Sequence, residues 1–267
     1  MKKKIKKVKV KEPVILDVNQ MHLSFSGTDT YLKCGKQYEF RYISGIKSPP
    51  GVALIEGSSH HKALEQNNLQ KKDQGRDMSY SNLTDIFMTD FRTRVKAEEN
   101  VQWGGETEDN IFSRAKILHE KYINQVAPNI HPIEIEKKFE IPLEVEKGNT
   151  IIIKGVCDLE QVENLLDYKT AARSKGQAEV DNSLQLSLYS YATKKREVGI
   201  IELIKKANPE IGMITSRRDA TQVLWALEVV KSVAKAIQAK VFPLAPPTSW
   251  ACSERFCGYW GMCRGKR

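Results

Sequence analysis

The sequence predicts an α/β fold, in which a small mixed sheet is flanked by helices. Two changes in the spacing of apolar residues indicate this class. Up to about residue 130, apolar residues recur three or four positions apart, which is the period of an amphipathic helix. From residue 133 they alternate with polar residues, as in a half-buried strand, and helical spacing returns after residue 177. This order predicts a helical region, then a sheet that contains a crossover helix.

The helices before the sheet are identified by the spacing of their apolar residues and by the loop residues that separate them. Tyr31, Cys34, Tyr38 and Tyr42 fall on one face of the first. A Pro-Pro-Gly loop within residues 45–51 separates it from the second, and Trp103-Gly-Gly separates the last two. The helices expected in this region cover residues 28–42, 56–69, 81–98 and 106–126.

The later elements follow from the same patterns. We expect strands over residues 133–145, 150–159, 164–168, 199–205 and 210–216, with helices over 177–195 and 220–241. We expect residues 1–20 to be a basic, disordered arm and lead-in, and residues 21–267 to form a single domain. Its expected parts are a helical region (28–130), a catalytic sheet (131–216), a long helix (219–242) and a cysteine-rich tail (243–267).

Composition indicates an ordinary soluble protein. Of 267 residues, 40% are hydrophobic and 28% are charged, and no run approaches the roughly 18 apolar residues of a membrane span. No apolar segment follows the N-terminal lysines, so we expect no signal peptide and a cytoplasmic location, in a bacterium or in the host of a phage. Five cysteines in such a compartment favour metal or cluster binding over disulfides.

The net charge of +9 is concentrated in residues 1–11, which hold seven lysines and no acid. The rest of the chain carries only +2. Two interpretations are open: a solubilising arm, or an arm that binds phosphates without sequence preference.

Two carboxylates and a lysine are predicted to converge on neighbouring strands. In Leu165-Leu-Asp167-Tyr-Lys169, the acid and the lysine are two residues apart and therefore share one face of a strand. Asp158 lies on the adjacent strand if residues 160–164 form the connection. Two acids can hold a hard divalent cation, while the lysine steadies or helps to deprotonate an attacking water. Alone, such a triplet is most often a solvated charge pair.

Two helical segments offer further polar groups. His60 and His61 follow Gly57-Ser-Ser, and spacing does not choose between them because adjacent residues point about 100° apart on a helix. Gln185 and Tyr189 are four residues apart and share a helix face. Taken singly, a helical histidine is more often a surface or core residue, and a lone tyrosine is more often core.

These four elements, in this order, resemble the PD-(D/E)XK nuclease superfamily and, within it, the RecB-type branch. That branch includes iron–sulfur nucleases of CRISPR adaptation, AddB-type helicase-nucleases and phage exonucleases. Its motifs are Gly-x-x-x-His, Gly-x-x-Asp, Asp-x-Lys and Gln-x-x-x-Tyr. They correspond here to Gly57…His61, Gly155…Asp158, Asp167…Lys169 and Gln185…Tyr189. The resemblance runs from about Phe25 to Cys263, selects His61 over His60, and implies a restriction-endonuclease-like core.

The resemblance also implies roles for these residues. The implied metal ligands are the side chains of His61, Asp158 and Asp167 and the backbone carbonyl of Tyr168. A mixed histidine and carboxylate set favours Mn²⁺, although Mg²⁺ is the abundant ion. Lys169 would orient the nucleophilic water, and Gln185 and Tyr189 would position DNA or support the lysine.

Four cysteines form a second candidate site. Cys252, Cys257 and Cys263 lie close together in the tail, and a metal or cluster site requires a fourth ligand, for which Cys34 is the candidate. The stretch around Cys34 resembles the early cysteine of iron–sulfur RecB-type nucleases, in which one early and three late cysteines bind a [4Fe-4S] cluster. The first late interval is Cys-x4-Cys here and Cys-x2-Cys in those families. A four-thiolate Zn²⁺ site is the main alternative.

The remaining cysteine and the tail aromatics have structural interpretations. Cys157 points opposite to Asp158 on the same strand and is expected to pack in the core. Trp250, Tyr259 and Trp260 flank the tail cysteines, and we expect them to cover the cluster. Stacking on the bases of single-stranded DNA is the alternative.

The predicted function is a metal-dependent DNA exonuclease that acts in end processing and recombination, in a phage or a bacterium. No Gly-x4-Gly-Lys-Ser/Thr phosphate loop is present, so unwinding would require a helicase partner, and a single-strand annealing protein is another candidate partner. Two alternatives remain: a CRISPR-adaptation nuclease that trims spacer precursors, and a catalytically silent DNA-binding module.

Overall fold

The computed structural model describes residues 21–264, so the expectations for residues 1–20 lie outside the described part of the chain. The described part is a mixed α/β structure with helices flanking one sheet, as predicted from the sequence. None of the described helices is long and apolar enough to cross a membrane.

The sheet contains both parallel and antiparallel pairs. Its strands are β1 (His22–Ser24), β2 (Glu134–Glu146), β3 (Asn149–Glu160), β4 (Asn164–Ala171), β5 (Glu197–Ile204) and β6 (Glu210–Arg217). Hydrogen-bonded neighbours follow the order β1-β3-β4-β5-β6, and β2 pairs with β3. Strands β4 and β5 are parallel, whereas β3 with β4 and β5 with β6 are antiparallel.

The helices are α1 (Phe25–Lys33), α2 (Gly35–Tyr38), α3 (Val52–Gln74), α4 (Tyr80–Ala97), α5 (Glu108–Lys121), α6 (Gln177–Asp181), α7 (Leu184–Thr193), α8 (Ala220–Gln238) and α9 (Trp260–Cys263). Single π-helical turns follow α2 and α5 at Glu39–Ile43 and Tyr122–Val126, and a 3₁₀ turn covers Ala127–Asn129. Side-chain caps fix several helix starts: Ser79 accepts the Asn82 N–H, and Thr107 accepts the Asn110 N–H.

Two expected helices are interrupted. The segment expected as one helix over residues 28–42 breaks at Cys34, whose extended backbone (φ −165°, ψ 108°) separates α1 from α2. The expected crossover helix over residues 177–195 is two helices. Its break is stabilised by Ser183, whose side chain accepts the Leu186 N–H and starts α7. Apolar spacing continues through both breaks, which is why periodicity alone did not reveal them.

The contacts divide the chain into two compact units. Of the described residues, one unit contains 21–48, Pro142–Ile153 and 229–264; the other contains Pro49–Ile141 and Lys154–Glu228. The predicted catalytic residues all fall in the second unit. The four cysteines predicted as ligands all fall in the first.

In the second unit, the sheet is covered on both faces. Leu166 and Tyr168 of β4 pack with residues of α3, α4 and α5 in one buried cluster. Leu165, one residue earlier on the same strand, packs with Leu186 of α7 in the other. Cys157 is 1% exposed and belongs to this second cluster, as predicted. The alternation of β4 therefore directs Asp167 and Lys169 toward the face that α7 covers.

Candidate active site

Asp167 is held by residues of α7. Its side chain is buried, and Oδ1 accepts a hydrogen bond from Gln185 Nε2 at 2.8 Å. The Tyr189 hydroxyl lies 3.4 Å from the same oxygen and accepts a second hydrogen bond from Gln185 Nε2, at 2.6 Å. Gln185 and Tyr189 are one helical turn apart, so both reach the carboxylate from the same helix face.

Lys169 contacts the other oxygen of this carboxylate. Its Nζ lies 2.6 Å from Asp167 Oδ2, and the lysine side chain is 30% exposed. Asp167 Oδ2 is a buried atom, and this short ion pair with Lys169 is the contact that the structure gives it. One oxygen of Asp167 is thus fixed by the scaffold, and the other keeps its lone pairs for a charged ligand.

Asp158 joins the two strands at the point where their ladder stops. The paired residues of β3 and β4 are Leu159 with Leu166 and Glu160 with Leu165. The next residue of β3, Asp158, uses its side chain instead: Oδ2 accepts the backbone N–H of Tyr168 at 2.8 Å.

The two adjacent histidines have different environments. His61 Nδ1 lies 3.3 Å from Asp158 Oδ2, and the ring is 32% exposed. His60 is fully buried and contacts Nε2 of His119 at 3.0 Å, while Thr84 contacts the other ring nitrogen of His119. The structure therefore brings His61, and not His60, to the acids that the sequence singled out.

Glu136 is a site residue that the sequence analysis missed. Ligand atoms of His61, Glu136 and Asp158 all lie within 4.8 Å of one another. On a regular strand, Glu136 would face away from Phe139 and Ile141, which pack inward. Its φ of 51° breaks this alternation, and Ile135 and Glu136 are both half-buried. The sequence offered one signal for this residue: Glu136 is a second acid, two residues after Glu134, at the start of the first long strand.

These residues fit a divalent metal ion. Within residues 21–264, His61, Glu136 and Asp158 are the group of three or more ligand side chains that meets this spacing. Asp167 Oδ2 adds a buried oxygen with a lone-pair site beyond the one that its contact with Lys169 uses. Carboxylate oxygens with one imidazole nitrogen suit Mg²⁺ or Mn²⁺.

The titration behaviour reflects crowded negative charge. Burial raises the pKa of Asp167, the Lys169 ammonium opposes this, and Asp158 raises it further. Burial, helped by the Asp158 charge, raises the pKa of Glu136 to about 7. For His61, burial lowers the pKa, but the hydrogen bond and charge of Asp158 outweigh it and the net change is upward. A bound cation would offset the repulsion among the three carboxylates.

The two motif glycines have different environments. A Cβ at Gly155 would lie 2.3 Å from the Phe139 ring, so this ring crosses β3 where no side chain fits. A Cβ at Gly57, inside α3, would lie 3.9 Å from Thr170, which is an ordinary contact. The close approach of the Phe139 ring therefore explains why glycine occupies position 155, whereas no such contact explains the glycine at position 57.

In the other unit, the four candidate cysteines line one pocket together with Phe40, Ala245, Tyr259 and Trp260. All are free thiols. Burial raises the pKa of the Cys257 thiol, a backbone contact with Tyr259 lowers it, and the neighbouring thiols raise it again. Tyr259 and Trp260 line this pocket as expected, whereas Trp250 is 68% exposed.

The tail is tied to the first helices by contacts that need no metal. The Tyr31 hydroxyl donates to the Val241 carbonyl at 2.6 Å, and the Tyr259 hydroxyl donates to the Ile46 carbonyl at 2.9 Å. Gly35 lies so close to Pro243 that a Cβ would be 2.5 Å from the proline ring. These contacts hold Cys34 beside the tail cysteines.

Comparison with known proteins identifies the family. A model of the PD-(D/E)XK nuclease superfamily matches residues 22–264. No curated protein matches the sequence. A candidate exonuclease from Eubacterium rectale superposes with a TM-score of 0.56 at 13% identity, covering 94% of this chain and 89% of that one. A protein named SSO0001 has a TM-score of 0.38 at 14% identity, covering 90% of this chain and 97% of that one.

The likeness to the Eubacterium rectale structure is too remote in sequence to indicate more than a shared fold. The family model, in contrast, spans nearly the whole described chain and includes every residue of the site above. This protein belongs to the PD-(D/E)XK nuclease superfamily.

Proposed function

We propose that this protein is a divalent-metal-dependent DNA exonuclease of the RecB-type branch, acting on DNA ends during recombination or repair. The observation that carries the proposal is the convergence of His61, Asp158, Asp167 and Lys169, with the lysine ammonium 2.6 Å from a buried oxygen of Asp167. Acids, an imidazole and an ammonium group at one point match the requirements of metal-assisted phosphodiester hydrolysis.

Each residue of the site has a distinct role in the proposed reaction. His61, Asp158, Asp167 and the Tyr168 carbonyl would hold the ion, which when bound polarises the phosphate and acidifies its water. Lys169 orients the attacking water and offsets negative charge on the phosphate in the transition state. Gln185 and Tyr189 fix Asp167 through Oδ1, so that Oδ2 faces the reaction. No covalent enzyme intermediate is needed.

Exonuclease activity is supported by the fold shared with the candidate exonuclease from Eubacterium rectale. The test compares end-labelled linear DNA with closed circular DNA, each incubated with Mg²⁺, Mn²⁺ or EDTA. We expect loss of linear DNA only, abolished by EDTA. Cutting of the circle would instead indicate an endonuclease. Binding without cutting of either substrate would support the silent DNA-binding module.

Partners are proposed from what the chain lacks. Without a helicase phosphate loop in the sequence, degradation of duplex DNA would need strand separation by a helicase, or would be coupled to an annealing protein that binds the exposed strand. Affinity purification from the native host tests this. Recovery of an integrase in place of either partner would favour the CRISPR-adaptation alternative.

We further propose that Cys34, Cys252, Cys257 and Cys263 bind a [4Fe-4S] cluster. The support is that all four line one pocket. A tetrahedral Zn²⁺ site is the alternative for the same four thiolates.

Anaerobic purification with iron, zinc and sulfide analysis tests this assignment. We expect brown protein with broad visible absorbance and about four irons per chain. Colourless protein that contains one zinc would establish the alternative.

A further inference from the structure

Glu136 occupies a backbone conformation that its position does not require. Two other described non-glycine residues have positive φ, Lys194 and Lys240, and both lie where a helix ends. Glu136 lies inside β2, where an extended conformation would continue the ladder. A non-glycine residue in the left-handed region is strained, and such strain concentrates at functional sites. The effect of this conformation is to turn one acidic side chain toward His61 and Asp158.

Neighbouring acids on the same strand pair with lysines, whereas within residues 21–264 Glu136 has no hydrogen bond and no lysine or arginine partner. Glu134 lies 3.6 Å from Lys72, and Glu140 lies 2.9 Å from Lys154. The Glu136 carboxylate is half-buried beside Asp158, a group of the same charge. Repulsion between these two carboxylates, one of them on a strained backbone, is unfavourable when no cation is bound. A cation between them would replace this repulsion with attraction.

The spacing suits one ion. In an octahedral Mg²⁺ or Mn²⁺ site with bonds of about 2.1 Å, neighbouring ligand atoms are about 3 Å apart and opposite ones about 4.2 Å. The ligand atoms of His61, Glu136 and Asp158 lie within 4.8 Å of one another, so small side-chain rotations close them around a common centre.

We propose that Glu136 is an additional ligand of the catalytic metal ion, which it binds together with His61 and Asp158. The inference rests on the proposed function, because it concerns the same metal site. It adds a third carboxylate to the site and gives β2 a role in metal binding, beside the roles of α3, β3 and β4. The site then has contributions from both sides of β3, since β2 and β4 pair with opposite edges of that strand.

The test measures metal binding and not cleavage. Mn²⁺ titration, followed by the electron paramagnetic resonance signal of free Mn²⁺, gives affinity directly. We expect Glu136→Gln to weaken Mn²⁺ binding by about tenfold or more, because even groups behind the ligands commonly contribute that much. The matched control is Glu134→Gln, which changes the net charge equally on the same strand. Its exposed carboxylate is screened by solvent, so we expect affinity within about twofold of wild type.

Asp158→Asn separates failure of this inference from failure of the proposed function. If Asp158→Asn loses Mn²⁺ binding while Glu136→Gln behaves like Glu134→Gln, the role of Glu136 is overturned and the metal site stands. If all three variants bind like wild type, the proposed metal site is overturned as well.

A second variant distinguishes loss of a metal ligand from a folding defect. Glu136→Gly removes the carboxylate and accepts positive φ without strain, so we expect the same loss of Mn²⁺ affinity with an unchanged or higher melting temperature. Wild-type Mn²⁺ affinity in Glu136→Gly would overturn the inference.

Discussion

The two motif glycines lead to opposite predictions for the same substitution. Gly155 lies under the Phe139 ring, and an added Cβ would be 2.3 Å from one ring carbon and 2.6 Å from another. Since real contacts are not that short, the ring must swing away. Phe139 packs edge-on against Tyr189 at 5.9 Å, so its movement also disturbs the helix face that holds Asp167. Overpacking of this kind costs about 1–3 kcal/mol.

Gly57 is inside α3, where a Cβ would meet Thr170 at 3.9 Å and nothing closer. Alanine is a better helix former than glycine by about 0.5–1 kcal/mol. We therefore expect Gly155→Ala to lower stability and Gly57→Ala to raise it slightly. Urea unfolding of the metal-free protein measures both, and thermal shifts of roughly 2–4 °C per kcal/mol should accompany them.

A double-mutant cycle identifies the cause. Phe139→Leu shortens the side chain that meets the new methyl group, so Gly155→Ala should cost less in the Phe139→Leu background than in wild type. Wild-type stability in Gly155→Ala, or an equal loss in both backgrounds, would refute the explanation of this glycine by close approach.

Three further predictions concern charge and metal. Lys169→Ala should reduce cleavage on the order of 100- to 1,000-fold while DNA binding persists, measured by single-turnover kinetics; undiminished cleavage would contradict the proposed role. Burial lowers the pKa of His119 to about 3, so its neutral form stabilises the fold above the unfolded-state pKa of about 6.5, and this stability is lost as the pH falls. Between pH 7 and 5 the loss should be about 2 kcal/mol in urea unfolding, and it should shrink in His119→Gln; the same loss in that variant would exclude His119 as its source. Saturating Mn²⁺ should raise the melting temperature of wild type and not of Asp158→Asn, because only a folded site binds the ion; an equal rise in both would place the binding elsewhere.

Strand alternation was sufficient to predict half of the site. The alternation of Leu165, Asp167 and Lys169 predicts that these three side chains lie on one face of β4. The four-residue spacing of Gln185 and Tyr189 predicts that both lie on one face of a helix. In the structure, Asp167 contacts Lys169, Gln185 and Tyr189. Both inferences need only the regular geometry of one element. The α/β class followed from the same periodicities.

What periodicity missed are the departures from regular backbone. Glu136 reaches the site through a positive φ, which no apolar pattern encodes for a non-glycine residue. Cys34 interrupts an apolar helix pattern with one extended residue and thereby comes to lie beside the tail cysteines. Each of these residues is positioned by long-range contacts that override the local preference.

The two oxygens of Asp167 explain why the Gln-x-x-x-Tyr element belongs to this site. A buried carboxylate with neither oxygen satisfied would be protonated or displaced, and each of its oxygens offers about two lone-pair sites. Gln185 and Tyr189 satisfy Oδ1, and Oδ2 faces the Lys169 ammonium at 2.6 Å with lone-pair capacity left for a cation. The family resemblance implied that these two residues position DNA or support the lysine, whereas their contacts favour a third role: they orient the acid. Because both are buried beside the carboxylate, α7 would act on the proposed reaction through Asp167.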